Sequence, residues 1–80
     1  MRIVWTVHAL ERLAQRRIRK ESVISAIKNP DAESEDAQGN RRVAKRTDGQ
    51  VLVVIIRDCG PNCVKVITAY VTSRVEKYLG

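Results

Sequence analysis

Six apolar residues follow one another at positions 51–56, Val-Leu-Val-Val-Ile-Ile, and turn-forming residues close the run on both sides. Asp48-Gly49 precedes it and Asp58-Cys59-Gly60-Pro61-Asn62 follows it. All but Leu52 are β-branched, which suits a pleated strand better than a helix. An unbroken apolar run leaves no side for water, so the strand must be central and covered on both faces. In a chain of 80 residues, that one strand sets the plan, because the rest must pair with it or pack on it.

The flanks supply its partners. Asp-Gly between two strand-like segments is a strong hairpin signal, and it joins the run to residues 41–47. Residues 63–71 form a β-rich segment after the second turn. Residues 32–36 are acidic and read as an edge strand or a loop, with Gln38-Gly39-Asn40 as the next turn. Residues 2–6 read as a short strand or extended lead-in, and residues 72–80 as a short helix or a strand extension.

Between them lies a helical region. Thr6 is a suitable N-cap for a helix over residues 7–17, whose apolar positions Val7, Leu10, Ala14 and Ile18 recur at spacings of three and four, with Leu13 beside them. A second helix runs from 19 or 20 to 28, burying Val23, Ala26 and Ile27, and Asn29-Pro30 stops it. The junction at 17–20 holds no Gly or Pro, so one bent helix also fits. Helices segregated from strands predict one α+β domain over residues 1–80. In it, two N-terminal helices pack on one face of a three- to four-stranded antiparallel sheet.

Fifteen cations against nine acids give a net charge of +6, and ten of the cations are arginines. Arginine suits bidentate phosphate contacts and stacking on bases, so RNA or DNA is the expected partner. An acidic protein fits the same charge. A chain this short has thin stability, which a homodimer or another partner would raise. No stretch of about 18 apolar residues is present, so no membrane span is expected. The first residues lack the apolar run of a signal peptide, and a cytoplasmic protein is expected.

Other chemistries are poorly represented. No phosphate-cradling Gly-rich loop and no paired carboxylates stand out, and neither a cofactor nor a metal is expected. Cys59 and Cys63 span a tight turn and would serve as a disulfide, as half of a zinc site, or as a reduced pair. The reduced pair is the expectation in a reducing compartment.

Three clusters carry candidate chemistry. His8, Arg12 and Arg16 are spaced four apart, which places them on one helical face. His8 is the only histidine, and histidine is the side chain whose ordinary titration lies near neutrality, the natural general acid or base. Arg41, Arg42, Lys45 and Arg46 form a cationic stripe that reads either as a phosphate-binding strand or as a charged strand near an edge that deters aggregation. Thr68 and Tyr70 share one face of the last strand by simple alternation with Val64 and Val66, and would present hydroxyls beside His8 if that face supports the active surface. Both are also ordinary strand formers.

The segment His8-Ala9-Leu10-Glu11-Arg12-Leu13-Ala14-Gln15-Arg16-Arg17-Ile18, the helix end Asn29-Pro30-Asp31, and Val66-Ile67-Thr68-Ala69-Tyr70 resemble a family of small domains of unknown function. Its members show His-Ala, an Arg four residues after the His, Arg-x-Ile, and a late strand of Val-x-Thr-x-Tyr type. That family in turn resembles the RelE/ParE-like toxins, within a superfamily of metal-independent ribonucleases that includes barnase and colicin-type toxins. The resemblance implies helices on an antiparallel sheet, with His8 and Arg12 as active-surface residues and Thr68 as the strand hydroxyl facing them. It implies a toxin-type endoribonuclease acting on RNA and partnered by an acidic antitoxin-like protein. Phosphate contacts would come from Arg16, Arg41, Arg42, Lys45, Arg46 and Tyr70. A non-catalytic nucleic-acid-binding module and a protein-interaction subunit remain open beside it.

Overall fold

A computed structural model describes residues 1–79. The chain runs β1 (Arg2–Trp5), α1 (Val7–Arg16), α2 (Lys20–Lys28), β2 (Ala32–Glu35), β3 (Arg41–Thr47), β4 (Gln50–Gly60), β5 (Cys63–Thr72) and α3 (Val75–Leu79). The strands form one sheet in the order β1-β5-β4-β3-β2. All neighbours are antiparallel except β1, which lies parallel to β5. The architecture is α+β, as expected, but the sheet has five strands and is mixed. The parallel pair exists because the chain crosses from one edge of the sheet through both N-terminal helices before it returns.

The apolar run behaves as its composition demands. All six residues are buried in β4 at the middle of the sheet. Leu52, Val54 and Ile56 face a core completed by Ala9 and Leu13 of α1 and by Val23, Ala26 and Ile27 of α2. Val51, Val53 and Ile55 face the other way, against Tyr70, Val75, Tyr78 and Leu79. Helices therefore cover both faces, not one, and α3 supplies the second cover. Burial of each such side chain contributes about 1.5–3 kcal/mol, which a bare second face would forfeit. Asp48 (φ 45°) and Gly49 (φ 78°) both adopt positive φ, the signature of the tight hairpin turn their sequence predicts.

In α1 the buried stripe is not the one that hydrophobicity alone selects. Ala9 and Leu13 are buried, whereas Val7 is 73% and Leu10 37% exposed. The small side chain of Ala9 lets the helix approach the sheet closely. Thr6 locks that approach: its Oγ1 accepts from Ala9 N at 3.0 Å and donates to Val66 O on β5 at 2.9 Å. The two helices are separate. Ile18 N donates to Leu13 O at 2.9 Å and Arg17 N to Ala14 O at 3.4 Å, with Arg17 left-handed at φ 55°. This is a Schellman termination, usually built on glycine, with Ile18 returning to the core.

The register of β5 carries the main surprise. Val66 pairs with Ile56 and Thr68 with Ile55, so Ile67 is an extra residue, a β-bulge. Beyond it the alternation is reversed. Val64, Val66 and Ala69 face α1 and α2, while Ile67 and Tyr70 face α3. At the far hairpin, Cys59 and Cys63 form a disulfide with Cα atoms 5.2 Å apart, which corrects the reduced pair expected for this turn. Among the described residues, no helix is long and apolar enough to cross a membrane.

Candidate nucleic-acid interface

The exposed side of α1 presents the first cluster. Arg12 Nε lies 3.4 Å from His8 Nε2 and donates to it, which requires that imidazole nitrogen to be unprotonated. Arg12 Nη1 also donates to Gln15 Oε1 at 2.9 Å, so the guanidinium is held flat along the helix. One turn on, Arg16 Nη1 donates to the Ala69 carbonyl at 2.7 Å. His8, Arg12 and Arg16 thus form the single row their spacing predicts, about 12 Å long at 1.5 Å per residue.

That row ends in a groove of about 670 Å³ between the α1–α2 junction, α2 and the β3–β4 hairpin. Five cations line it, Arg16, Arg17, Arg19, Lys45 and Arg46, against two acids, Glu21 and Asp48. Its floor is apolar, from Ile18, Leu52 and Val71, and Ser22, Ser25 and Thr47 add hydroxyls. Two of the cations are engaged: Arg16 on Ala69 and Lys45, whose Nζ donates to Asn29 O at the end of α2 at 2.9 Å. Arg17, Arg19 and Arg46 keep side chains without a hydrogen bond or ion pair among the described residues. Such a surface, cationic at the walls and apolar below, matches a strand of phosphates with bases beside it.

The cationic stripe on β3 does not act as one unit. Arg41 is bound to Glu33 at 2.8 Å and Asp58 at 2.9 Å. Its guanidinium is held in the charged form chiefly by the Glu33 hydrogen bond, against some burial, with Asp58 adding to it. Arg42 faces the opposite side of the sheet, its guanidinium carbon 5.8 Å from the Tyr78 ring centroid. Only Lys45 and Arg46 reach the groove. β3 itself lies one strand in from the edge, because β2 pairs outside it.

Thr68 and Tyr70 are also separated from His8. Thr68 pairs with Ile55 and Tyr70 with Val53, both of which face α3. The bulge at Ile67 is the cause, since simple alternation without it would leave them on the side of Val64 and Val66. Tyr70 instead meets Tyr78, their hydroxyls 3.0 Å apart and their rings edge to face. Burial first, and then the Tyr78 hydroxyl, push the Tyr70 phenol up to about 12. Tyr78 is lowered, chiefly because the Tyr70 hydroxyl can donate to its phenolate, with Lys77 and Arg42 nearby adding to the effect.

Arg17 and Arg19 line the groove from the junction between the two helices, where the sequence assigns them no site. The left-handed conformation of Arg17 is what turns both toward the hairpin, and no Gly or Asn marks it.

Fold and site together define a small α+β domain with a mixed five-stranded sheet, helices on both faces, and a basic groove fed by a histidine–arginine row. The model of the family described as Domain of unknown function (DUF4258) matches residues 5–71, and the chain belongs to that family. No curated protein and no solved structure matches it.

Proposed function

We propose that the protein binds single-stranded RNA in the groove and along α1, and cleaves it without a metal as a RelE/ParE-like, toxin-type endoribonuclease. The observation that carries the binding is the convergence of Arg17, Arg19 and Arg46, without partners among the described residues, on a cavity that Arg16, the last residue of the His8–Arg12–Arg16 row, also lines. Phosphates on the groove cations would set the strand so that one ribose lies over His8.

The chemistry then follows from the side chains present. His8 Nε2 takes the proton of a ribose 2′-hydroxyl, and the 2′-oxygen attacks the adjacent phosphorus. The bond to the 5′-oxygen breaks, that oxygen takes a proton from solvent, and a 2′,3′-cyclic phosphate remains. Arg12 stabilises the charge on the phosphorane, having exchanged its long 3.4 Å contact with His8 for a phosphate oxygen. Thr68 has no part in this step from the face it occupies.

The position of Thr68 favours a second reading, a non-catalytic RNA-binding module, since one strand hydroxyl of the expected set is turned from His8. The two readings separate on one assay. Purified protein is incubated with a single-stranded RNA in chelator, and the ends of any product are identified. Cyclic-phosphate ends that disappear with His8→Ala, while binding persists, support cleavage. Intact RNA that binds equally well with either protein supports the module and rejects the enzyme.

A further inference from the structure

The face opposite the groove holds a second, smaller cavity. It measures about 110 Å³, roughly three to four water volumes, and Ser34, Arg42, Lys77 and Tyr78 line it together with Glu33 and the methyls of Ala32 and Ala44. Arg42 and Ser34 are direct partners across the β3–β2 ladder, so both point to the α3 side. Tyr78 closes the cavity over Arg42, and the Tyr70 hydroxyl fixes the Tyr78 ring. Lys77 brings a second cation, its Nζ 5.4 Å from the same ring.

Arg42 is the anomaly. Its Nε is buried and finds no hydrogen-bond partner among the described residues. The residue as a whole is only half-buried, so its positive charge stays partly open to the cavity while its Nε gains no acceptor from the protein. The nearby acids are already occupied. Glu33 is bound to Arg41 at 2.8 Å. Asp36 accepts from the Gln38 and Asn40 amides and from the Asn40 side chain. No carboxylate among the described residues lies within ion-pair distance of Arg42.

We propose that Arg42, Ser34 and Lys77 form a second anion site, on the sheet face opposite the groove, that holds the phosphate group of a phosphomonoester. The guanidinium offers a planar fork suited to two phosphate oxygens, Lys77 a second positive charge, and Ser34 a hydroxyl. The volume admits one such group and excludes a folded nucleic acid. The site shares no residue with the groove, so it stands whether or not RNA is cleaved on α1.

Inorganic phosphate is the probe, titrated at constant ionic strength while backbone amide shifts are followed by NMR. The expected result is saturable movement of the Ser34, Arg42, Lys77 and Tyr78 amides, with the dissociation constant raised at least ten-fold by Arg42→Leu and several-fold by Lys77→Ala. Arg42→Leu removes an unpaired buried donor and is expected to fold; Lys77 is exposed, so its variant reads binding without touching the core. Movement confined to the groove, or an affinity unchanged in both variants, overturns the proposal. A free phosphomonoester and the phosphorylated end of a strand present the same chemistry. A 5′-phosphorylated oligonucleotide that outbinds its 5′-hydroxyl twin, with the gain lost in Arg42→Leu, assigns a strand end; equal binding of the twins alongside saturable inorganic phosphate assigns the free ester.

Discussion

Arg16 Nη1 donates to the Ala69 carbonyl oxygen at 2.7 Å, and this bond closes the edge of β5 where no strand does. β1 pairs with β5 only as far as Val66, so the carbonyl three residues on would otherwise depend on water. Arg16 also lines the basic groove. Arg16 thus belongs to the fold as much as to the site.

A structural share for Arg16 has a measurable consequence. Arg16→Ala is expected to lower stability by about 1 kcal/mol, the value of a charged hydrogen bond discounted for its exposure. Urea denaturation reads this as a fall in midpoint at constant slope. Arg16→Met, which keeps the stem, should lose about as much; full recovery in Arg16→Met would assign the effect to packing instead.

Arg17 predicts the opposite sign. A left-handed residue with a side chain carries a cost of about 1 kcal/mol relative to glycine at a helix C-terminus. Arg17→Gly should therefore raise the melting temperature while it weakens RNA binding. Loss of stability and affinity together would show that the side chain packs, and that its conformation is not held against strain.

The Tyr70–Tyr78 pair predicts an alkaline signature. Tyr78 loses its proton below the ordinary value of 10 and Tyr70 only near about 12. Below pH 10 the unfolded chain holds the Tyr78 proton longer than the folded one, so stability rises with pH there. Between 10 and about 12 the folded state holds the Tyr70 proton longer, so stability falls. Ultraviolet absorbance titration should show two separate tyrosine steps, and Tyr78→Phe should leave one step, shifted below 12 because burial remains and the phenol partner does not.

The disulfide gives a fourth test. Replacing Cys59 and Cys63 by serine releases a short ring, worth about 2 kcal/mol on loop-closure grounds. Arg2 N donates to Asn62 O at 2.8 Å within that ring, so β1 should loosen with it. Hydrogen exchange at the β1 amides is the readout, and unchanged protection would separate β1 from the hairpin tip.

How much of this was legible from sequence depends on the residue. The run at 51–56 and the Asp48-Gly49 turn carried the centre of the sheet, because apolar length and turn chemistry are local signals. The bulge at Ile67 had none: an extra residue in a β-branched strand needs no Gly or Pro, yet it sends Thr68 and Tyr70 to the other face. In α1 two stripes compete, and Val7 and Leu10 are more hydrophobic than Ala9. The sheet selected Ala9 for its size. The neutralisation of Arg41 was invisible because Glu33 and Asp58 come from two different strands and meet it only in register. What spacing did convey was the His8–Arg12–Arg16 row, since a single helix fixes it.

The central claim is that RNA phosphates lie on the groove cations and not on the β3 stripe as a whole. The salt dependence of RNA binding measures this directly. Three phosphates neutralised by Arg17, Arg19 and Arg46 predict a slope of about −2 in log K against log salt for a single strand. Arg17→Gln with Arg19→Gln should bring it to about −0.7, whereas Arg41→Gln, whose partners already hold its charge, should leave it unchanged. A slope insensitive to the double variant but reduced by Arg41→Gln would contradict the account.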